Sequence, residues 1–192
     1  MSIYKNTLFV IFMAFTVVGF SQEGNYRLFD FYEGYIVKGD GTKERGYIQY
    51  LDESDRYEKV VFRKTMDDKK EKFKVKDLAG YKVADTEYKS LEYEDVIFKG
   101  RNFLKVVEEG CINTYTMRKY DSEDRTWSSI AVLETEDRAV NYQKFALGFA
   151  KSFSEFLKDD AELSQKVRNG EKGYGMLRMD QIISEYNERC KN

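Results

Sequence analysis

Phe31-Tyr32-Glu33-Gly34-Tyr35-Ile36-Val37 and Gly46-Tyr47-Ile48-Gln49-Tyr50-Leu51 are two aromatic and β-branched runs divided by Gly39-Asp40-Gly41. The runs suit a pleated, half-buried surface, and the glycines between them tolerate positive φ, so the pair reads as a β-hairpin. Outward from it the same grammar recurs. Val60–Arg63 is a third strand. Lys72-Phe73-Lys74-Val75-Lys76 alternates strictly, with apolar residues on one face and lysines on the other. Leu78–Val83 and Thr86–Tyr93 flank a turn at Asp85. Asn102–Val107 and Cys111–Arg118 flank Glu108-Glu109-Gly110, and Trp127–Leu133 and Ala139–Tyr142 flank Glu134–Arg138. Short strands joined by tight polar turns imply an antiparallel, curled sheet or a small sandwich.

The period changes after residue 142. Ala146, Phe149, Ala150, Phe153, Phe156 and Leu157 recur at three- and four-residue steps, which predicts an amphipathic helix from near Gln143. Asp159 with Glu162 fits an N-cap and its partner three residues on, and Gly170 ends that second helix. Met179, Ile182, Ile183 and Tyr186 mark the face of a third. Phe-rich helices need a surface to bury against. The expected architecture is therefore α+β, with a β-rich region over 22–142 and two to three short helices over 143–192 packed on its sheet.

Lys5 precedes an apolar run, Leu8–Val18, followed by small residues at Gly19 and Ser21. That pattern predicts a secretory signal peptide over 1–21, cleaved after Ser21, because the run is far short of the roughly 20 residues needed to span a bilayer. No later run is longer, so no transmembrane segment is expected in the mature chain from Gln22. Export sets an oxidising context in which Cys111 and Cys190 either pair or leave Cys190 free. The chain has 32 basic and 34 acidic side chains and no histidine. Histidine-dependent triads, HExxH zinc sites and histidine proton shuttles are excluded, and a net charge of −2 offers nucleic acid no general attraction. No cofactor signature is present.

Lys72, Lys74 and Lys76, extended by Lys69 and Lys70, form the densest basic feature. They are candidate ligands for an acidic glycan, or else the solvated lysines that guard an edge strand. Glu92, Glu94 and Asp95, with Tyr88 and Tyr93 nearby for sugar stacking, are the candidate for carboxylate-dependent glycoside hydrolysis, which needs two carboxyls about 5–9.5 Å apart with one pKa raised. Glu108-Glu109 is a second acidic cluster. Asp121, Glu123 and Asp124 are oxygen donors in one loop, as calcium requires, but Thr126 occupies the position an EF-hand gives to glycine. Gly170, Gly173 and Gly175 lack the strand and the Lys-Ser/Thr of a phosphate loop.

Several segments resemble an uncharacterised family of small secreted Bacteroidota-type proteins. Gly34-Tyr35-Ile36-Val37 with Gly46-Tyr47-Ile48 is similar to its paired G-Y-I hairpin, and Phe73–Tyr81 to its Y-x-P-x-D-I-x-G-Y stretch. Phe103–Gly110 is similar to its F-L-x-x-L-x-x-G hairpin, and Ile182–Cys190 to its I-I-x-x-Y-N-x-x-C ending. This chain lacks the proline of that stretch, and it lacks the cysteine near Asp160-Ala161 that would partner the terminal one. The resemblance implies export and a hairpin-plus-helix architecture, and it carries no activity. The functional expectation is an exported, non-enzymatic envelope module that binds a protein or glycan. Two alternatives stand beside it, a carboxylate-dependent polysaccharide hydrolase and an acidic-glycan binder acting through the lysine-rich strand.

Overall fold

The computed structural model describes residues 24–96 and 99–190. The signal peptide expected over residues 1–21 lies outside the described residues. Ten strands form one sheet. β1 (Phe31–Val37) and β2 (Lys43–Gln49) make the first hairpin, followed by β3 (Lys59–Arg63), β4 (Glu71–Lys74), β5 (Gly80–Val83) and β6 (Thr86–Glu94). β7 (Lys99–Glu108), β8 (Asn113–Asp121), β9 (Thr126–Glu134) and β10 (Ala139–Asn141) complete it. Helices α1 (Phe149–Phe156), α2 (Ala161–Arg168) and α3 (Met179–Arg189) follow. The strands run in the order β10-β9-β8-β7-β6-β5-β1-β2-β3-β4. The fold is α+β, a ten-strand antiparallel sheet with C-terminal helices packed on it, and the sheet is continuous rather than a sandwich of two.

The sheet curls hard enough to enclose its own core. Gly34 and Gly46 face each other across the first hairpin. A Cβ on Gly34 would collide with the Lys82 carbonyl, and one on Gly46 with the Arg63 carbonyl and the Phe62 ring. Only glycine allows the backbones this close, so the G-Y-I pair is a device for bending the sheet. At the far end the sheet meets itself: Val140 of β10 pairs with Leu133 of β9 and, in parallel, with Glu94 of β6. Within this curl lie Ile36, Ile48, Phe62, Tyr81, Phe103 and Val132, among others. Tyr81 stacks on Tyr88 with ring centroids 4.6 Å apart.

A second core joins sheet to helices. Leu133 and Val140 turn away from the first core and pack with Phe145, Phe153, Leu157, Leu163, Val167 and the α3 face. β9 and β10 are thus buried on both faces over their last residues. A disulfide joins Cys111, in the β7–β8 turn, to Cys190 at the end of α3, with Cα atoms 6.4 Å apart. Beside it the buried Asn187 side chain accepts from the Ile112 amide (2.8 Å) and donates to the Ile112 carbonyl (3.0 Å). It therefore replaces a missing strand partner at the turn.

Three local expectations are corrected. The alternating Lys72–Lys76 stretch is not all strand: β4 stops at Lys74, and Val75–Asp77 is a helical turn because the Asp77 carboxylate accepts the Lys74 amide at 2.7 Å. The helix expected from near Gln143 is divided. A tight turn over Tyr142–Phe145 is capped by Asn141, and α1 begins only after Gly148, whose φ of 73° is left-handed. The cap of α2 is Asp160 rather than Asp159; its carboxylate accepts the Leu163 amide at 2.9 Å. That register turns Leu163 and Val167 into the core.

Gly34→Ala should cost about 2–3 kcal/mol through forced backbone separation, measured by chemical denaturation; unchanged stability would refute the close-approach account. Replacing Cys111 and Cys190 together by serine frees a loop with a sequence separation of 79. The loss should be about 4 kcal/mol by the loop-entropy relation, with hydrogen exchange rising first in α3.

Candidate functional site

The lysines singled out from the sequence lie on the free edge of the sheet. Lys72 and Lys74 are exposed on β4, which pairs only with β3, and Lys76 is exposed in the turn that follows.

The acidic candidates are tied down. Glu92 is within 3.1 Å of Arg101 and 3.7 Å of Lys99. Glu94 meets Lys144 at 2.7 Å; that hydrogen bond holds its carboxyl below the ordinary range, with the charges of Lys144, Arg138 and Lys99 adding to the effect. Tyr88 and Tyr93 are each 3% exposed and belong to the enclosed core, so neither offers a ring face to a sugar. Glu108 accepts from Asn187 at 3.2 Å. Asp121 accepts the amides of Glu123 and Asp124 and so closes its own hairpin end. Among the described residues no cluster of three or more carboxylate and thiol side chains could hold a metal ion. Gly170 and Gly173 take positive φ in the connection that follows α2.

Glu134 is half-buried, its side chain 16% exposed. Burial pushes its pKa up, but hydrogen bonds from Lys89, Tyr115 and Asn113 outweigh burial and hold it below 4.5. Lys89 Nζ lies 2.8 and 2.9 Å from the two carboxylate oxygens, and Asn113 Nδ2 lies 3.0 Å away. Burial, then the Glu134 carboxylate, pushes the Tyr115 hydroxyl far up. An acid ionised at neutral pH beside a phenol protonated at neutral pH is a bracing arrangement, not an acid–base pair.

What the fold does assemble is a basic cleft of about 640 Å³ at the seam between sheet and helices. Arg138 leads into β10, Lys144 sits on the turn that leaves it, Lys151 lies in the first turns of α1, and Arg168 ends α2. Val140 and Phe145 supply an apolar lining, and Glu94 and Glu155 are its carboxylates. Glu94 is taken by Lys144, and Glu155 lies 3.8 Å from Arg168. Arg168 also donates from Nε to Ser154 Oγ at 3.3 Å. The Arg138 guanidinium lies over the Phe156 ring, 5.0 Å from its centroid. Among the described residues, neither Arg138 nor Lys151 has a carboxylate within ion-pair distance. A second cleft, of about 340 Å³, lies beside Tyr57, Tyr93 and Arg118, but Glu53 neutralises its arginine at 3.1 Å.

None of the basic cleft's four cations was singled out from the sequence. They span four segments and thirty-one positions and show no periodicity. One signal was available: Leu147 falls outside the apolar set that defines the helix face, yet lies between Lys144 and Lys151. Searches against protein-family models, curated proteins and solved structures find no match for this chain.

As pH falls through 4.5, the unfolded chain takes up a proton at Glu134 before the folded one does, so stability drops with acid. Glu134→Gln should cost about 2 kcal/mol at neutral pH and flatten this acid limb. Thermal unfolding across that range checks both effects.

Proposed function

We propose that this protein is an exported, non-enzymatic binding module of the cell envelope, and that the basic cleft takes an anionic group of its ligand. The observation carrying this reading is the surplus of cations in one cleft of a chain whose net charge is −2. Arg138 and Lys151 point unmatched charge into it, and an apolar floor excludes water from one side. Low-dielectric walls focus such a field.

The carboxylates argue in the same direction. Glycoside hydrolysis asks for an acid held protonated near neutrality. Among the described residues, Asp40, Glu44, Glu94, Glu134 and Glu162 are displaced from their ordinary values, all of them downward. The edge lysines Lys72, Lys74 and Lys76 are also a weaker anion site than the cleft, because nothing walls them from solvent and salt screens them fully.

Titration of the protein with soluble polyphosphate and with polygalacturonate tests the reading. Binding should weaken with salt. Arg138→Ala combined with Lys151→Ala should lower affinity about tenfold, and Lys72→Ala combined with Lys74→Ala should leave it unchanged. The reverse pattern would move the site to the edge strand, and turnover lost on changing Glu92 or Glu94 would restore the hydrolase.

A further inference from the structure

The rim of the basic cleft carries an apolar side chain that the fold leaves out of both cores. Along Lys144-Phe145-Ala146-Leu147-Gly148-Phe149-Ala150-Lys151, Phe145 is 4% exposed and seated in the helical core, whereas Leu147 is 91% exposed. Ala146 and Gly148 on either side are exposed too, so the tip is an uncharged projection. Gly148 takes its left-handed φ here, and nothing lies within 4 Å of where its Cβ would stand. Its carbonyl accepts the Lys151 and Ser152 amides, both at 3.0 Å, and the Ser152 hydroxyl at 3.1 Å. The tip is therefore braced from behind.

An apolar tip flanked by lysines and backed by Arg138 and Arg168 has the two components of weak peripheral membrane attachment. One is apolar insertion at the headgroup–acyl boundary, and the other is attraction to anionic lipid. We propose that the Ala146–Gly148 tip inserts into a bilayer surface bearing anionic lipid, with a headgroup phosphate seated among Arg138, Lys144 and Lys151. The lipid is chosen over a soluble anion because Leu147 lines the same cleft as the cations, and a soluble anion gives it nothing to contact. No helix among the described residues is long and apolar enough to cross a membrane, and insertion of one apolar tip with charge attraction gives weak, reversible attachment. The inference rests on the reading of the cleft as an anion site.

The test is sedimentation of the protein with vesicles of phosphatidylcholine alone and with about 30% phosphatidylglycerol, beside titration with soluble polyphosphate. Binding to the mixed vesicles should exceed binding to phosphatidylcholine and should fall with salt. Leu147→Ser, at a fully solvated position, should weaken vesicle binding about tenfold and leave polyphosphate binding unchanged. Lys151→Ala should weaken both about fivefold. If polyphosphate binds and mixed vesicles do not, or if Leu147→Ser binds vesicles like the parent chain, the membrane inference fails and the anion cleft stands. Failure of both ligands to bind would overturn both.

Discussion

Three residues hold the molecule together. Ala139, Val140 and Asn141 form β10, and each is committed to a different neighbour. Ala139 packs into the core enclosed by the sheet, and Val140 into the core beneath the helices. The Asn141 carboxamide donates to Asp95 at 2.7 Å and accepts the Gln143 amide at 2.9 Å, and so ties strand to helical turn. The backbone of the same strand joins β9 to β6 through the paired positions of Val140. A strand so short has little ladder energy of its own. Its stability comes from burial on both faces. The cleft is a direct consequence. Arg138 enters β10, Lys144 leaves it, Val140 lines the cleft, and Glu94 stands across the bridge.

The opposite end of the helical layer is anchored independently. The Cys111–Cys190 bond and the Asn187 carboxamide fix α3 to the β7–β8 turn. Gly110 is placed so that a Cβ there would strike the Asn187 side chain, which shows how closely the turn and helix approach. With β10 at one end and this clamp at the other, the three helices cannot slide across the sheet. The cleft beside them is held from both ends by these contacts, which would lower the ordering cost of the ligand proposed for it.

Most of the strands are legible from sequence because period-two alternation and Gly/Asp turns are local properties. The G-Y-I hairpin, the turn at Glu108-Glu109-Gly110 and the α3 face all belong to that class. The errors arise where a local cap or a tertiary demand outweighs a periodic pattern. Lys74-Val75-Lys76 continues the alternation, but the Asp77 carboxylate captures the Lys74 amide and coils the backbone. Asp159 makes as good a cap as Asp160 on paper, and burial of Leu163 and Val167 decides between them. Gly148 interrupts a run of helical periodicity that reads as continuous. The cleft is illegible for a different reason. Arg138, Lys144, Lys151 and Arg168 become neighbours only after β10 has closed the sheet and α1 and α2 have packed, and no single stretch encodes that.

Placing those cations together carries a cost that the fold does not fully offset. Several charges elsewhere are matched directly, as with Lys89 and Glu134 or Arg189 with Glu162 and Glu185. In the cleft, Lys144 consumes Glu94 and Arg168 leans on Glu155, and among the described residues no carboxylate lies within ion-pair distance of Arg138 or Lys151. The fold instead satisfies Arg138 with the face of Phe156, a contact that steadies the guanidinium without neutralising it. Like charges held in one cleft repel, and a surface selected for stability alone would place an acid between them. A ligand that brings the missing negative charge relieves that repulsion on binding. The affinity proposed for the cleft would come from these same residues.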